Sequence, residues 1–280
     1  MGIMKGIDVS RYQGKINWER VKEDGVEFAI LRAGYGMYEN QIDPTFEYNY
    51  TECQKYNIPV GAYWYSYATS IKEGQEEAEI FLKTINGKIL ELGAWMDQEY
   101  ETSIQALSKQ ARTDICITFM EKIKAAGFRT GLYCSYDWIK NWLYPAKLQN
   151  YDKWIAQYSS NCSYSGKDLA LWQYSSKGTI DGITGSVDLD YLYKDYLTSQ
   201  KVGIWKKNTK GWWYEYSDGS YIKNDWLKLD DRWYYFDKNG YALKGYATID
   251  GKQYYFAEKY ALGNIKECQL IMTNESGELL

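Results

Sequence analysis

Asp97 and Glu99 stand two positions apart at the end of an apolar run, in "AWMDQEYE" over residues 94 to 101. In a strand alternate side chains share a face, so both carboxyls project the same way, about 6 to 7 Å apart along the backbone. Two acids on one site repel each other, which separates their proton affinities and leaves one as a donor and the other as an anion. That is general acid chemistry in outline. Histidine is absent from all 280 residues, which excludes Ser-His-Asp and Cys-His nucleophile systems and HExxH metal sites. Carboxylates and tyrosines are left to carry a reaction, and neither a metal nor another cofactor is expected.

A single acid in a sequence is usually a solvated loop residue, so the elements that position these two matter. Over residues 1–200, strand-like runs alternate with helical patterns: "IMKGIDVS", "VEFAILRAGYG", "PVGAYWYSY", "GAWMDQE", "FRTGLYCS", "KWIAQY", "LALWQY" and "SVDLDYLY". Amphipathic stretches lie between them at 17–24, 70–84 and 108–126, the last followed by Gly127 as a helix stop. Eight strands with helical crossovers predict an α/β fold, a parallel (β/α) barrel made irregular by its short later connections. The site of such a barrel forms at the carboxyl ends of its strands. Those ends carry Asp8, Arg32, Tyr63 with Tyr65 and Tyr67, Asp97 with Glu99, Tyr133, Gln157, Gln173 and Asp188. Four acids at strand ends are hard to dismiss as chance. Asp190, two residues beyond Asp188, could share its face.

The last 80 residues are a different kind of sequence, with 17 aromatics against 32 in the first 200. In blocks of 20 from Gly211 they repeat: Trp213 aligns with Trp233, Tyr214 with Tyr234 and Tyr254, Tyr216 with Phe236 and Phe256, and Trp226 with Tyr246. Each unit reads as an aromatic strand, a turn at Asp218-Gly219 or Asn239-Gly240, and a second short strand. A lone hairpin is barely stable, so residues 201–280 are expected to stack as a small all-β hairpin-repeat solenoid. A decayed fourth copy, "LIMTNESGELL", keeps Gly277 in register and has lost the aromatics.

The net charge is −4 with no basic block, so neither nucleic acid nor a membrane surface is an expected partner. No apolar window is long enough to span a bilayer and residues 1–8 lack a signal-peptide pattern, so the chain is expected to start directly in its fold. Five scattered cysteines, without a CxxC pair, read as free thiols made in a reducing compartment.

Taken together and in order, "GIDVSRYQGKINW", "FAILRAGYG", "PVGAYWYSYA", "WMDQE", "GLYCSYDW", "WIAQY" and "LWQYSSKGTIDGITGSVDLD" resemble the lysozymes of glycoside hydrolase family 25 over residues 3 to about 196. The resemblance implies cleavage of the β-1,4 bond from N-acetylmuramic acid to N-acetylglucosamine in bacterial peptidoglycan. The family's acids fall on Asp8, Asp97, Glu99 and Asp188, with Asp188 favoured over Asp190. Glu99 would protonate the glycosidic oxygen while the others stay anionic. Asp97 would act as nucleophile or orient the sugar's own 2-acetamido group, and Asp8 and Asp188 would hold a negative field around Glu99. Arg32, Tyr63, Tyr65, Tyr133, Gln157 and Gln173 are the candidate substrate contacts. Gln98 departs from an apolar family position facing the outer helices and should not touch the chemistry.

The tail resembles the choline-binding modules of bacterial wall hydrolases. A quaternary ammonium has no hydrogen to donate, so aromatic rings must hold it by cation–π contact. Trp205, Trp213, Trp226, Trp233, Tyr246 and Tyr254 are the candidates, with Gln253 replacing an expected Trp. The implied partners are peptidoglycan and choline-bearing teichoic acid, with a dimer through the repeats as the oligomeric option. The expected setting is synthesis in a bacterial cytoplasm and action at the wall after release, as for a phage endolysin or, second, a host autolysin exported by another route. Two other readings remain: an inactive wall lectin, and a chitinase-type enzyme on another N-acetylhexosamine polymer.

Overall fold

The computed structural model describes residues 3–197, 203–216, 219–229, 232–258 and 266–271. The chain divides into two compact units, Met1–Gln200 and Lys201–Leu280. In the first, eight strands close a barrel in sequence order: β1 (Met4–Val9), β2 (Phe28–Tyr35), β3 (Val60–Tyr65), β4 (Ala94–Asp97), β5 (Thr130–Ser135), β6 (Asp152–Ala156), β7 (Leu169–Gly178) and β8 (Val187–Leu192). Strands β1 to β7 run parallel, but β8 is antiparallel to both β7 and β1. The expected all-parallel barrel is corrected at this point. A parallel return needs a crossover of a dozen residues or more, and the connection 179–186 is too short for one. Asp188 therefore opens its strand rather than ending it, and the reversed register sets it directly opposite Asp8.

Helices α1 (Trp18–Glu23), α2 (Phe46–Lys55), α3 (Ile71–Thr84), α4 (Thr102–Gln105) and α5 (Lys109–Ala125) occupy the early crossovers. Asn17, Ser70 and Ser108 cap α1, α3 and α5 by accepting from the backbone N–H three residues on. Helix α2 was not foreseen, because its buried face is only Phe46, Asn49 and Cys53. Asn49 breaks the apolar pattern there, and its Oδ1 accepts from the Trp18 indole at 3.0 Å. After α5 the connections shrink to a π-helical turn at Trp138–Trp142 and a 3-10 turn at Pro145–Lys147.

Strand alternation sorts the side chains into two layers. Phe28, Ile30, Tyr63, Trp95, Tyr133, Trp154, Leu171 and Leu192 fill the barrel. Gly6 makes room for this packing, since a Cβ there would lie 2.5 Å from the Phe28 ring. Outside, Trp64, Met96, Phe81 and Phe119 pack between strands and helices. On β4 and just beyond it, Trp95, Asp97 and Glu99 point inward and Met96 and Gln98 outward. Gln98 is fully buried, its Oε1 accepting from the Trp138 indole at 3.0 Å and from the Cys116 thiol at 3.2 Å. All five cysteines are free.

Among the described residues, the second unit shows three two-stranded hairpins: β9 (Gly203–Lys207) with β10 (Trp212–Tyr216), β11 (Asp225–Leu229) with β12 (Arg232–Phe236), and β13 (Gly245–Ile249) with β14 (Lys252–Phe256). Each aromatic strand is the second arm of its hairpin, so the expected phase of the repeat is shifted by half a unit. The last hairpin closes on Asp250-Gly251, both at positive φ, the conformation a two-residue turn demands. Asn239-Gly240 instead belongs to the turn after an aromatic strand, where Phe236 bridges Ala242; Gly219 occupies the matching place, and Asp218 lies outside the described residues. Trp205 packs against Tyr234 and Phe236 of the next hairpin at 4.9 and 5.6 Å. Trp226 repeats that contact on Tyr254 and Phe256 at 5.0 and 5.9 Å. Residues 272–280, with Gly277 and most of the decayed copy, lie outside the described residues.

Candidate active site

Asp8, Asp97, Glu99 and Asp188 line one hollow of about 230 Å³ at the mouth of the barrel, together with Arg32, Tyr63, Tyr65, Tyr133 and Gln173. Three strands deliver the four acids: Asp8 lies at the end of β1, Asp97 ends β4 with Glu99 two residues on, and Asp188 lies at the start of β8. Gln173 ties the floor together. Its Oε1 accepts from the Tyr133 and Tyr158 hydroxyls, each at 2.9 Å, and its Nε2 donates to Asp8 Oδ2 at 2.7 Å. The two hydroxyl donors fix which way the amide faces. Asp97 is only 3% exposed, and its Oδ1 has no hydrogen-bond partner among the described residues.

Burial dominates the electrostatics. It pushes the Asp97 carboxyl well above the usual range, with help from the Glu99 and Asp8 charges and against Arg32. Glu99 is raised by burial first, then by the Glu101 and Asp188 charges. Burial and the facing Asp188 push Asp8 up to about 8, while burial takes Asp188 to about 6. A single proton donor among three anions is therefore not what the free site favours. Asp8 and Asp188 face each other across β1 and β8, so burial and mutual repulsion favour keeping a proton on the pair.

Two site residues stand elsewhere than sequence reasoning set them. Gln157 is a loop tie: its Nε2 donates to Ser163 Oγ at 2.8 Å and its Oε1 accepts from the Ser163 N–H at 2.7 Å. It borders a neighbouring hollow of about 200 Å³ with Tyr100, Ser135 and Tyr158, which Glu99 and Tyr133 also reach. Tyr67 does not line the acid mouth; it bounds a second hollow beside it with Arg11, Tyr12, Arg32, Tyr35 and Tyr65. Asp190 does share the inward face, one layer deeper, where it is fully buried and accepts the Trp154 indole N–H at 2.7 Å.

Reading strand ends missed Tyr12, Tyr158 and Glu101. Tyr12 sits in a 3-10 turn at Arg11–Gln13, where Ser10 accepts from the Tyr12 N–H and Gln13 accepts from the Ser10 N–H. The signal was the Ser10…Gln13 spacing of a capping box directly after Asp8. Glu101 accepts the Tyr65 hydroxyl at 2.7 Å. Its place after Asp97 and Glu99 in the alternation was the available hint.

In the hairpin unit, three of the six aromatics proposed as ligand contacts meet: the Trp226 ring stands 6.2 Å from Trp233 and 5.0 Å from Tyr254. Trp205, Trp226 and Tyr254 are half-buried, with their rings packed between successive hairpins. Trp233 is half-exposed, and Tyr246, 84% exposed, leans on Tyr255 at 4.8 Å. Trp213 borders a hollow of about 260 Å³ with Tyr221, Tyr241, Glu215 and Asn239. The Trp213 and Tyr241 rings stand at 83° with centroids 6.3 Å apart. Tyr221 and Tyr241 escaped the sequence reading because they flank turns rather than sit in the repeated strand.

The model of the glycosyl hydrolases family 25 matches residues 7–183. The autolytic lysozyme of Clostridium acetobutylicum is 29% identical over 203 residues, which cover 72% of this chain and 59% of that protein. The chain thus spans less than two thirds of that relative. Among solved structures, the bacterial lysozyme from Streptomyces coelicolor aligns with a TM-score of 0.60 at 25% identity, over 68% of this chain and 92% of that one. The pneumococcal cell wall endolysin from phage Cp-1, complexed with choline, aligns with a TM-score of 0.54 at 21% identity, over 99% of this chain and 88% of that one, a likeness of fold.

Proposed function

Because the chain belongs to glycosyl hydrolase family 25, we propose that its barrel is a muramidase, hydrolysing the β-1,4 bond from N-acetylmuramic acid to N-acetylglucosamine in bacterial peptidoglycan. The observation that carries this reading is the convergence of Asp8, Asp97, Glu99 and Asp188 on one mouth walled by tyrosines. Glu99, half-buried and raised, keeps a proton to give to the leaving oxygen. Asp97 is buried, desolvation pushes its carboxyl up, and its Oδ1 has no hydrogen-bond partner among the described residues. It suits a role accepting the N–H of the substrate's 2-acetamido group. The acetamido oxygen then attacks the anomeric carbon as the glycosidic bond breaks. Water opens the resulting ring and returns its proton to Glu99. Asp188 supplies negative charge to the cationic transition state. Mass analysis of the new reducing ends in digested walls tests this assignment: N-acetylmuramic acid ends support it and N-acetylglucosamine ends overturn it.

The pH–rate profile follows from the same charges. Activity should fall as pH rises through the Glu99 pKa, because the acid form is then lost. Glu101→Gln removes a charge that raises Glu99 while leaving an oxygen for the Tyr65 hydroxyl. Its alkaline limb should therefore move to lower pH, with activity at acidic pH little changed. An alkaline limb that stays in place would show that Glu101 does not set the acid's proton affinity.

For the hairpin unit the reading is retention on choline-bearing teichoic acid, with the cation held at Trp213, Tyr221 and Tyr241 beside the Glu215 carboxylate. Free choline should compete the protein off walls. Ethanolamine, whose nitrogen carries hydrogens and is more strongly hydrated, should compete much less. Cation–π contact in a desolvated cage is worth about 2 kcal/mol, so Trp213→Ala should weaken retention by about tenfold or more. Retention indifferent to choline would remove this part of the proposal and leave the barrel's chemistry untouched.

A further inference from the structure

Beside the acid mouth lies a hollow of about 370 Å³ with the opposite electrostatic character. Its lining is Arg11, Arg32, Tyr12, Tyr35, Tyr65 and Tyr67, without a carboxylate. Both guanidinium groups are held against the same two rings. Arg11 lies 5.4 Å from the centroid of Tyr12 and 5.7 Å from that of Tyr35; Arg32 lies 5.0 and 5.9 Å from them. Asp43 neutralises Arg32 in part, accepting from its Nε at 2.7 Å. That carboxylate is buried and already accepts from the Arg11 N–H, the Thr45 N–H and the Thr45 hydroxyl. It has little left to offer. Arg11 has no carboxylate partner among the described residues. Arg32 is 8% exposed, and its Nη2 is buried without an acceptor among them.

A buried guanidinium N–H without an acceptor is costly, and two cations fixed over shared rings repel each other. One anion between them relieves both penalties, and a guanidinium fork matches the two oxygens of a carboxylate. Tyr12, Arg32 and Tyr65 line this hollow and the acid mouth alike, so a sugar in the mouth can reach it with a short substituent. The acids of the mouth would repel that substituent if it were anionic, leaving the arginine side as its favoured place.

We infer that the hollow between Arg11 and Arg32 is a carboxylate-binding subsite that recognises the acid borne by the muramyl residue, on its 3-O-lactyl group or on the peptide attached there. This inference rests on the muramidase reading and deepens it. N-acetylmuramic acid differs from N-acetylglucosamine only by the lactyl ether, so a polymer of N-acetylglucosamine alone presents no carboxylate. The subsite thus supplies a physical reason for choosing peptidoglycan over chitin.

Calorimetric binding to the full chain carrying Glu99→Gln separates recognition from cleavage. Three probes of equal glycan length are needed: a muramyl tetrasaccharide with free lactyl groups, its peptide-bearing form, and the N-acetylglucosamine tetrasaccharide. An acid-bearing probe should bind about tenfold tighter than the neutral one, and rising salt should shrink the difference. Adding Arg11→Gln, an exposed position outside the acid mouth, should abolish that preference while leaving the neutral affinity unchanged. Loss seen with the free lactyl probe assigns the lactyl carboxylate; loss confined to the peptide-bearing probe assigns a peptide carboxylate. Equal affinity for all three probes, or a preference that survives Arg11→Gln, overturns the subsite. A preference that holds while the unmodified protein releases no muramic acid ends from walls would instead sink the muramidase reading.

Discussion

Glu99→Gln should abolish wall lysis while leaving the fold and wall retention intact. The amide keeps the shape of the carboxyl but has no proton to give to the leaving oxygen, and general acid assistance is worth roughly 10² to 10⁴ in rate. The position tolerates the change because Glu99 lies beyond the end of β4, half-buried at the mouth, and the barrel packs beneath it. Removing its charge also eases repulsion at Asp97, whose carboxyl Glu99 helps to push up. Thermal melting should therefore be unchanged or raised. Lysis above about a tenth of the unmodified rate, measured on purified walls, would dismiss Glu99 as the proton donor.

Asp97→Asn should lower activity by roughly 10² to 10³, the scale seen when one preorganised electrostatic contact to a transition state is lost. The same change should make the protein more stable. Burial raises Asp97 well above 3.8 in the folded state, so between the unfolded and folded pKa values the folded chain binds more protons. Stability contributed by this residue is full below the unfolded value and declines as pH rises. An uncharged amide escapes that decline. The variant should melt above the unmodified protein near neutral pH, and the gap should close as pH falls toward about 4. A stability–activity trade of this kind marks a site held against its own folding preference. Unchanged activity with unchanged melting would place Asp97 outside the chemistry.

The inward face of β4 was readable because strand alternation is strict: Trp95, Asp97 and Glu99 share one side, and Gln98 turns to Trp138 and Cys116 on the other. The direction of β8 was not readable from its own residues. A strand buried in a barrel reads alike in both directions, and only the length of the connection before it carries the sign. Gln157 looked like a mouth residue because it follows β6, but the short loop after it needed hydrogen bonds that its amide supplies. The arginine hollow stayed hidden for a related reason. It joins a capped 3-10 turn to the inner face of β2, and no periodicity links Arg11 to Arg32. In the tail the recurrence of aromatics was plain, but recurrence alone does not separate rings that pack hairpins, such as Trp205 and Trp226, from a ring that borders a hollow, such as Trp213.

The central claim is that four acids at one barrel mouth cut the glycan strand of peptidoglycan after muramic acid. Its most direct test is a digest of purified bacterial walls by the full chain, followed by reduction and mass analysis of the new chain ends. New reducing ends should be N-acetylmuramic acid and should be absent from a parallel digest by the Glu99→Gln protein. Reducing ends of N-acetylglucosamine, or walls bound without any new ends, would contradict the account.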